Sequence, residues 1–329
     1  MNLKRIIAFV AVIASAGAMA SSASALAPLP VAVNGNTVEA YATGVAVPTQ
    51  MTFGAGNTFI AGAEEGPMKG GLYVVKPGES AATKVPGSPD SVFGVLWKKG
   101  TLYATQGTDL VAYSKWNGTK FKKKQKLLKG PKTGFSGLAM GPNGRLYTGV
   151  QLKQAFDHKY NPMKYANTVL SVKTSGKGLR VESKGLRQPW MLAFAKGEKS
   201  PIVSSLAQDL PVGTKAPDLL VKAKPRSNFG FPKCNWAIAA ACKGFTKPLL
   251  KIQQGEGAAS PMGLAADGKK IYVALFGGIG QGPGIATTNS SGAPLRPFVF
   301  RQGPPVLSVA LHNGYVYYGD FSGIYRVKM

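Results

Sequence analysis

The chain has 329 residues, of which 44% are apolar, and it carries 40 Lys and Arg against 14 Asp and Glu, a formal net charge of +26. This length and apolar fraction suit one large or two ordinary domains with a real core, and they exclude disorder for most of the chain. With 2 Cys and 2 His, there is little material for a zinc site or a Cys/His catalytic centre. The 42 Gly and 23 Pro indicate many tight turns and favour an all-β fold.

The first 25 residues have the build of a secretory signal peptide. Lys4 and Arg5 precede an apolar run at residues 6–16, and small residues with A-x-A sites follow. Cleavage is expected after Ala25, since Pro28 disfavours cleavage after Ala27. A transmembrane anchor is the alternative, but the run is much shorter than the roughly 20 residues of a spanning helix. The mature protein is therefore predicted to be periplasmic or secreted, and the loss of Lys4 and Arg5 lowers its net charge from +26 to +24.

A hairpin-like unit recurs six times along the rest of the chain. Each copy is an alternating apolar run, a turn with Gly or Asn, and a second apolar run that ends in small residues. The spacing of roughly 43 to 54 residues is that of propeller blades, with a longer gap between the fourth and fifth copies. The copies begin at Met51, Val95, Leu138, Leu192, Leu264 and Val309.

The two ends of the chain predict how these units close into a ring. Most copies are followed by a third strand-like stretch, and one connecting strand completes a four-stranded blade. The chain ends at residues 323–329 without a fourth strand, while residues 37–43 precede the first hairpin without a partner. We therefore predict a six-bladed all-β propeller, a single domain at residues 26–329, closed by pairing of the N-terminal strand with the last blade. A β-sandwich is the alternative, but it requires neither six in-phase copies nor complementary ends.

The two cysteines lie in the long gap between the fourth and fifth copies. Cys234 and Cys242 are close enough in sequence to close a small loop, and an exported protein folds where disulfides persist. A disulfide between them is predicted, rather than two buried free thiols.

In a propeller, the loops before each first strand and after each second strand lie on one face, here named the upper face. They build a funnel over the central channel, so functional residues are expected among them. In this chain they include Glu64 and Glu65, residues 151–166, 187–189, 206–218 and 277–284, and Asp320.

Four segments in the second half of the chain resemble, in order, motifs of the soluble quinoprotein glucose dehydrogenase and L-sorbosone dehydrogenase family, whose members are six-bladed propellers. The resemblance fades toward the N-terminal blade. The segments begin at Gly185 (GLRQPWMLAF), Asp209 (DLPVGTKAPDLL, followed by NFGFPKC), Ser260 (SPMGLAADG) and Gly314 (GYVYYGDFSGIYRV).

This resemblance implies a protein that holds pyrroloquinoline quinone (PQQ) and calcium over the channel and transfers a hydride from a sugar to PQQ. Arg187 takes the position of the family Arg that polarises the quinone, and Gln188 stands where the family usually has Asn. With Asp209 and Asp218 of the acidic loop, they form the implied cofactor-binding set. The alternative for Arg187 is a structural role, in which it bonds loop carbonyls.

The family's catalytic His is missing from this chain. Thr133 stands in its place, and Thr cannot act as the base at neutral pH. A second family His falls on Ala258, and the Glu of the acidic loop falls on Leu219. His158, in the upper-face loop of blade three, is the candidate replacement, although it also fits a solvated loop residue. His312 lies in a turn on the opposite face and is predicted to be structural.

Three functions therefore stay open. The first is a PQQ-dependent dehydrogenase of an aldose or related sugar, with an unknown electron acceptor. The second is a non-catalytic propeller whose basic funnel binds an anionic saccharide, a wall polymer or a protein. The third is a lactonase-like hydrolase, which needs calcium held by converging acids. It is disfavoured because the upper-face loops carry few acids.

A dense basic run at residues 121–132 (FKKKQKLLKGPK) fits either a binding site for an anionic polymer or an exposed outer strand. Nucleic acid is not expected as a partner, because Lys greatly outnumbers Arg and the chain is predicted to be exported. No membrane span is expected in the mature chain.

Overall fold

The computed structural model describes residues 30–329 except 46, 67, 132, 153–163, 208–215, 253–258, 278–282 and 301–303. Its strands form six sheets, each with four antiparallel strands in the order of a propeller blade, and two of the sheets gain a fifth short strand. The predicted six-bladed propeller is therefore confirmed. The predicted signal peptide, His158, Asp209 and Ala258 lie outside the described residues.

The first half of the chain forms two N-terminal strands and blades one to three. The N-terminal strands are β1 (Val31–Ala32) and β2 (Val38–Ala42). The blade strands, from the channel outward, are β3 (Pro48–Phe53), β4 (Phe59–Ala63), β5 (Gly71–Val75) and β6 (Thr83–Lys84) in blade one; β7 (Val92–Lys98), β8 (Thr101–Gln106), β9 (Asp109–Trp116) and β10 (Phe121–Lys129) in blade two; and β11 (Phe135–Met140), β12 (Arg145–Val150), β13 (Thr168–Lys173) and β14 (Arg180–Lys184) in blade three.

The second half forms blades four to six in the same way. Their strands are β15 (Gln188–Ala193), β16 (Ile202–Leu206), β17 (Asp218–Lys222) and β19 (Leu250–Ile252) in blade four; β20 (Pro261–Asp267), β21 (Lys270–Leu275), β22 (Gly284–Asn289) and β23 (Arg296–Phe300) in blade five; and β24 (Ser308–His312), β25 (Tyr315–Gly319) and β26 (Ile324–Lys328) in blade six. The short strand β18 (Ser227–Asn228) runs parallel to β14 at the outer edge of blade three.

The fourth strand of blade six comes from the other end of the chain. β2 pairs antiparallel with β26, with Val38 opposite Val327 and Ala40 opposite Tyr325. The Arg326 guanidinium also forms an ion pair with Glu39 at 2.7 Å. β1 adds to the outer edge of blade five instead, where Val31 pairs with Phe300.

The middle strands of the blades are buried on both sides, which hides the alternation expected of a half-exposed hairpin. β4, β5 and β12 are buried at every position, because each blade is sandwiched between two neighbours. The outer strand β10, by contrast, is exposed over most of its length. Burial therefore falls from the inner strands to the rim of the ring.

Polar side chains bind neighbouring blades together around the channel. The Gln50 side chain of blade one donates to the Leu138 carbonyl of blade three at 2.8 Å and accepts from the amides of Leu138 and Val95. The Thr49 hydroxyl donates to Val92 O at 2.7 Å in blade two. Blades two and three approach each other closely at Gly94, which has no side chain. A Cβ there would lie 2.8 Å from Leu138 N.

The long segment between β17 and β19 packs beside blades three and four. Cys234 and Cys242 form the predicted disulfide, with their Cα atoms 5.2 Å apart. Both cysteines belong to an apolar cluster with Leu186, Phe229 and Trp236. The Trp236 indole N–H donates to the Phe229 carbonyl at 2.8 Å, which satisfies its one buried donor.

Helical structure in the described part is confined to two short 3₁₀ turns, Ala55–Asn57 and Ala239–Cys242. Among the described residues, no helix has the length and apolar character that crossing a membrane requires.

His312 lies in the β24–β25 turn on the face opposite the upper face, as predicted. Its ring stacks on Phe53 with ring centroids 3.9 Å apart, and its Nε2 lies 3.0 Å from Asn57 Oδ1. Partial burial lowers the pKa of His312, because it disfavours the charged form of the ring. These contacts give it a packing role.

Candidate active site

Equivalent backbone hydrogen bonds position the first residue after the second strand in three blades. The amides of Glu64, Gln151 and Phe276 each donate, over 3.1 Å, to the carbonyl just before the inner strand of the same blade. These residues therefore occupy the same place at the upper rim of blades one, three and five. What differs is the side chain that each blade presents there.

Arg187 is buried on the upper face between blades three and four, where 7% of it is exposed. Its guanidinium donates to the carbonyl of Ala207, and it lies 3.5 Å from the carbonyl of Leu206. The Asn167 amide donates to the Arg187 carbonyl at 2.9 Å. Arg187 thus ties together the loops of two blades, which is the structural alternative raised by the sequence.

Asp218 is also buried, at 1% exposure, and its carboxylate binds backbone amides. Oδ1 accepts from Ala207 N and Oδ2 accepts from Ser260 N, each at 2.8 Å. The carboxylate therefore joins the upper-face loop of blade four to the start of blade five. An acid held by two buried N–H groups in this way stabilises the loops on which it acts.

The other positions that the resemblance singled out carry little polar chemistry in the described structure. Gln188 begins β15 and is partly exposed. Its backbone N–H donates to Ser205 Oγ at 3.4 Å. Leu219, at the position of the family Glu, is buried. Thr133, at the position of the family His, is 4% exposed, and its hydroxyl has no hydrogen-bond partner among the described residues.

A small cleft opens beside Arg187. It is lined by Arg187, Ala207, Leu219, Phe229 and Trp236, among others. The cleft brings Arg187 next to the segment that carries the disulfide, but most of its wall is apolar.

The described residues do not supply a calcium site. Within the described ranges, no three His, Cys, Asp or Glu side chains come together as metal ligands. Asp320, which is fully buried in the upper-face loop of blade six, accepts from Ser322 N at 2.6 Å and Gly323 N at 3.0 Å, so it stabilises its own turn. Asp218 is likewise engaged by backbone amides. Among the described residues, the acids of the upper-face loops therefore show no set of calcium ligands.

Glu64 is the upper-face acid that the motif comparison missed as a site residue. It is partly exposed, yet the protein surrounds it densely enough that burial raises its pKa from 4.5 to about 7. Among the described residues, its carboxylate has no hydrogen bond or ion pair, in contrast to Asp218 and Asp320. Sequence placed Glu64 on the upper face but could not show that it lacks a partner.

An apolar cluster lies beside Glu64. Val47, whose carbonyl accepts from the Glu64 amide, packs with Leu307, and Phe276 and Phe321 pack against both. All four residues come from upper-face loops of blades five, six and one. An acid and partly exposed aromatic rings on one face are groups that a sugar site uses, since rings pack on the apolar face of a sugar while polar groups bind its hydroxyls.

No known family profile and no curated protein matches the sequence. Similar solved structures, however, extend over almost the whole chain. A Trichoderma reesei protein of carbohydrate-active enzymes family AA12 is 12% identical, with a TM-score of 0.75 over 94% of this chain and 99% of its own. The PQQ-bound aldose sugar dehydrogenase of Streptomyces coelicolor is 20% identical, with a TM-score of 0.69 over 91% and 99%.

The PQQ domain of a Coprinopsis cinerea pyranose dehydrogenase is a third similar structure, at 11% identity and a TM-score of 0.67 over 93% of this chain and 99% of its own. The fold therefore resembles that of PQQ-dependent sugar dehydrogenases, as the motifs implied. At these identities the likeness concerns the fold.

Proposed function

We propose that this protein is an exported PQQ-dependent sugar dehydrogenase-like propeller that binds an aldose or related sugar on its upper face. The observation that carries the proposal is Glu64, whose carboxylate has no partner among the described residues and whose backbone amide bonds to Val47 of the apolar cluster that includes Phe276 and Phe321. The fold supports the proposal as well, because the similar solved structures include an aldose sugar dehydrogenase and a pyranose dehydrogenase domain. The disulfide and the predicted signal peptide agree with export.

Glu64 is the residue proposed to replace the missing His. When a sugar alcohol is oxidised to a carbonyl, the hydroxyl loses a proton and its carbon loses a hydride. The Glu64 carboxylate would accept that proton. A pKa of about 7 suits this role, because the group is then a stronger base than an ordinary carboxylate and about half of it is ionised at neutral pH.

PQQ, when bound, would supply the hydride acceptor. The described residues show no set of calcium ligands, and the Arg187 guanidinium already donates to the Ala207 carbonyl, so PQQ and calcium are proposed from resemblance alone. Cofactor roles for Arg187, Gln188, Asp209 and Asp218, and a catalytic role for His158, remain predictions of the motif comparison. The electron acceptor is not assigned.

The test uses the purified mature protein with added PQQ and calcium chloride. A bound-quinone spectrum and dye reduction with a panel of aldoses are expected, with kcat/KM rising as the pH passes through about 7. Glu64→Gln should lower kcat by at least about a hundredfold, as expected for a lost general base, while quinone binding is kept. Glu65→Gln, at the exposed neighbouring position, is the matched control and should keep activity.

Absence of a quinone spectrum in the wild type would refute the dehydrogenase assignment. Full activity of Glu64→Gln would refute the role of Glu64 while leaving the enzyme class intact, and His158→Ala then tests the other candidate base. An Arg187→Ala variant that binds PQQ as tightly as the wild type would remove Arg187 from the cofactor site.

A non-catalytic sugar-binding propeller is the second candidate. It is favoured by Thr133, which is buried where the family has its base, and by the engagement of Arg187 and Asp218 with backbone groups. Saturable sugar binding by calorimetry without PQQ, together with no turnover when PQQ is present, is the result that would select it.

A further inference from the structure

The outer strand of blade two carries a concentrated positive charge that the upper-face site does not use. β10 is nine residues long and pairs with β9 alone among the described strands, although Gly176 of the β13–β14 turn lies against the Leu127 backbone. It carries five lysines, all exposed: Lys122, Lys123, Lys124, Lys126 and Lys129. We name this strand, together with exposed Lys115 and Lys120 of the preceding β9 end and turn, the lysine edge.

Acids do little to neutralise the lysine edge. Lys126 forms an ion pair with Asp109 at 2.7 Å, and it is the one lysine of β10 in an ion pair within the described structure. In the sequence, no Asp or Glu occurs between Asp109 and Asp157. Lys122, Lys123 and Lys124 therefore present their charges to solvent, where they attract a polyanion.

Aromatic rings lie at one end of the lysine edge. Trp116 and Phe121 are paired across β9 and β10, their ring centroids are 4.8 Å apart, and both are partly exposed. The Phe121 ring also lies 5.5 Å from the Tyr113 ring, centroid to centroid. The Lys124 ammonium lies 5.4 Å from the centre of the same Tyr113 ring, so lysine and aromatic side chains meet at this end of the strand.

The combination of lysines and aromatic rings on the lysine edge indicates the class of ligand. Lysines bind carboxylates or sulfates as point charges, without the fixed geometry of an Arg fork, and an indole ring packs on the apolar face of a pyranose. A bare polyphosphate would use the charges but not the rings. We propose that the lysine edge binds an acidic polysaccharide, with lysines on its acid groups and Trp116 against a sugar ring.

Edge lysines also have a second known use, which is to prevent strand-to-strand aggregation. The two roles give different outcomes when the charges are removed. A purely protective edge predicts self-association of the variant with unchanged binding of polysaccharide, whereas a binding edge predicts loss of polysaccharide by a variant that stays monomeric.

The experiment measures binding of the mature protein to polygalacturonate by calorimetry over a series of salt concentrations, with neutral dextran as the negative control. The test variant changes Lys122, Lys123 and Lys124 to Gln. The matched control changes Lys196, Lys199 and Lys269, which are exposed on blades four and five, to Gln and removes the same charge. Light scattering of each variant reports self-association.

The lysine-edge variant should lose at least tenfold in affinity at low salt and show a shallower salt dependence, and the control variant should change by less than twofold. Trp116→Leu should weaken polygalacturonate binding by about threefold and leave polyphosphate binding unchanged.

Equal losses in the two triple variants would mean that net charge alone is responsible, and would overturn the proposal. So would self-association of the lysine-edge variant with unchanged affinity, or insensitivity of polygalacturonate binding to Trp116→Leu when polyphosphate binds equally well. The measurement needs neither PQQ nor turnover, so it stands or fails independently of the proposed dehydrogenase activity.

Discussion

The upper face and the outer edge of blade two use charge in opposite ways. On the upper face, Arg187, Asp218 and Asp320 are buried and bind backbone groups, so their charges hold loops in place. On the lysine edge, Lys122, Lys123 and Lys124 are exposed and contribute little to packing. A strongly basic composition therefore describes the rim of this ring, whereas the chemistry at its centre depends on a few acids and on whether each has a partner.

Asp218 gives the largest expected contrast with the rim. Asp218→Ala leaves the amides of Ala207 and Ser260 without their carboxylate acceptor, so we expect the free energy of unfolding to fall by about 3–5 kcal/mol. Urea unfolding at neutral pH measures this change. Asp218→Asn, which keeps one acceptor oxygen, should lose less, and a loss below about 1 kcal/mol for the Ala variant would show that water replaces the carboxylate.

The disulfide gives the next largest effect. Cys234 and Cys242 close a short loop, so replacing both by Ala should lower the free energy of unfolding by about 2–3 kcal/mol through the greater freedom of the unfolded chain. Reduction of the wild type should give a similar loss, with the double variant insensitive to reductant. A loss in the variant without any effect of reductant on the wild type would locate the cost in packing against Phe229 and Trp236 instead.

Glu64 should make stability depend on pH in a direction opposite to that of a paired acid. Its pKa is raised from 4.5 to about 7, so the stabilisation by the neutral form is complete below 4.5 and is lost as the pH rises through 7. Glu64→Gln should remove this loss and raise the stability at pH 8 by about 1–2 kcal/mol, since water reaches part of the side chain and reduces the full effect. Thermal unfolding from pH 4 to 8, with Glu65→Gln as the control, tests it.

The lysine edge should show the smallest change in stability. Replacing Lys122, Lys123 and Lys124 by Gln should alter the free energy of unfolding by less than about 0.5 kcal/mol per position, because these side chains are exposed and have no ion pair in the described structure. Chemical unfolding measures the change. A loss as large as that of Asp218→Ala would remove the contrast between the two regions.

The fold could be predicted from the sequence to a large extent, because hairpins repeat in phase and the pattern of apolar runs survives in each copy. The hairpins at Met51, Val95 and Leu138, and the three later ones, all became inner strand pairs. Strands such as β4 and β12 are nevertheless buried at every position, because neighbouring blades cover both sides of each middle strand. One strand in isolation does not reveal how many neighbours it will have.

By itself, the sequence determined the number of blades, the disulfide and the absence of His at the family's catalytic positions, since each follows from residue type and spacing along the chain. Only the tertiary structure decided which charged groups have partners. Arg187 and Asp218 matched cofactor-binding motifs, yet loop carbonyls and amides bind them, while the Glu64 carboxylate has no such partner among the described residues. The physical reason is that the partners of a buried charge come from residues distant in sequence, and motif spacing does not report their positions.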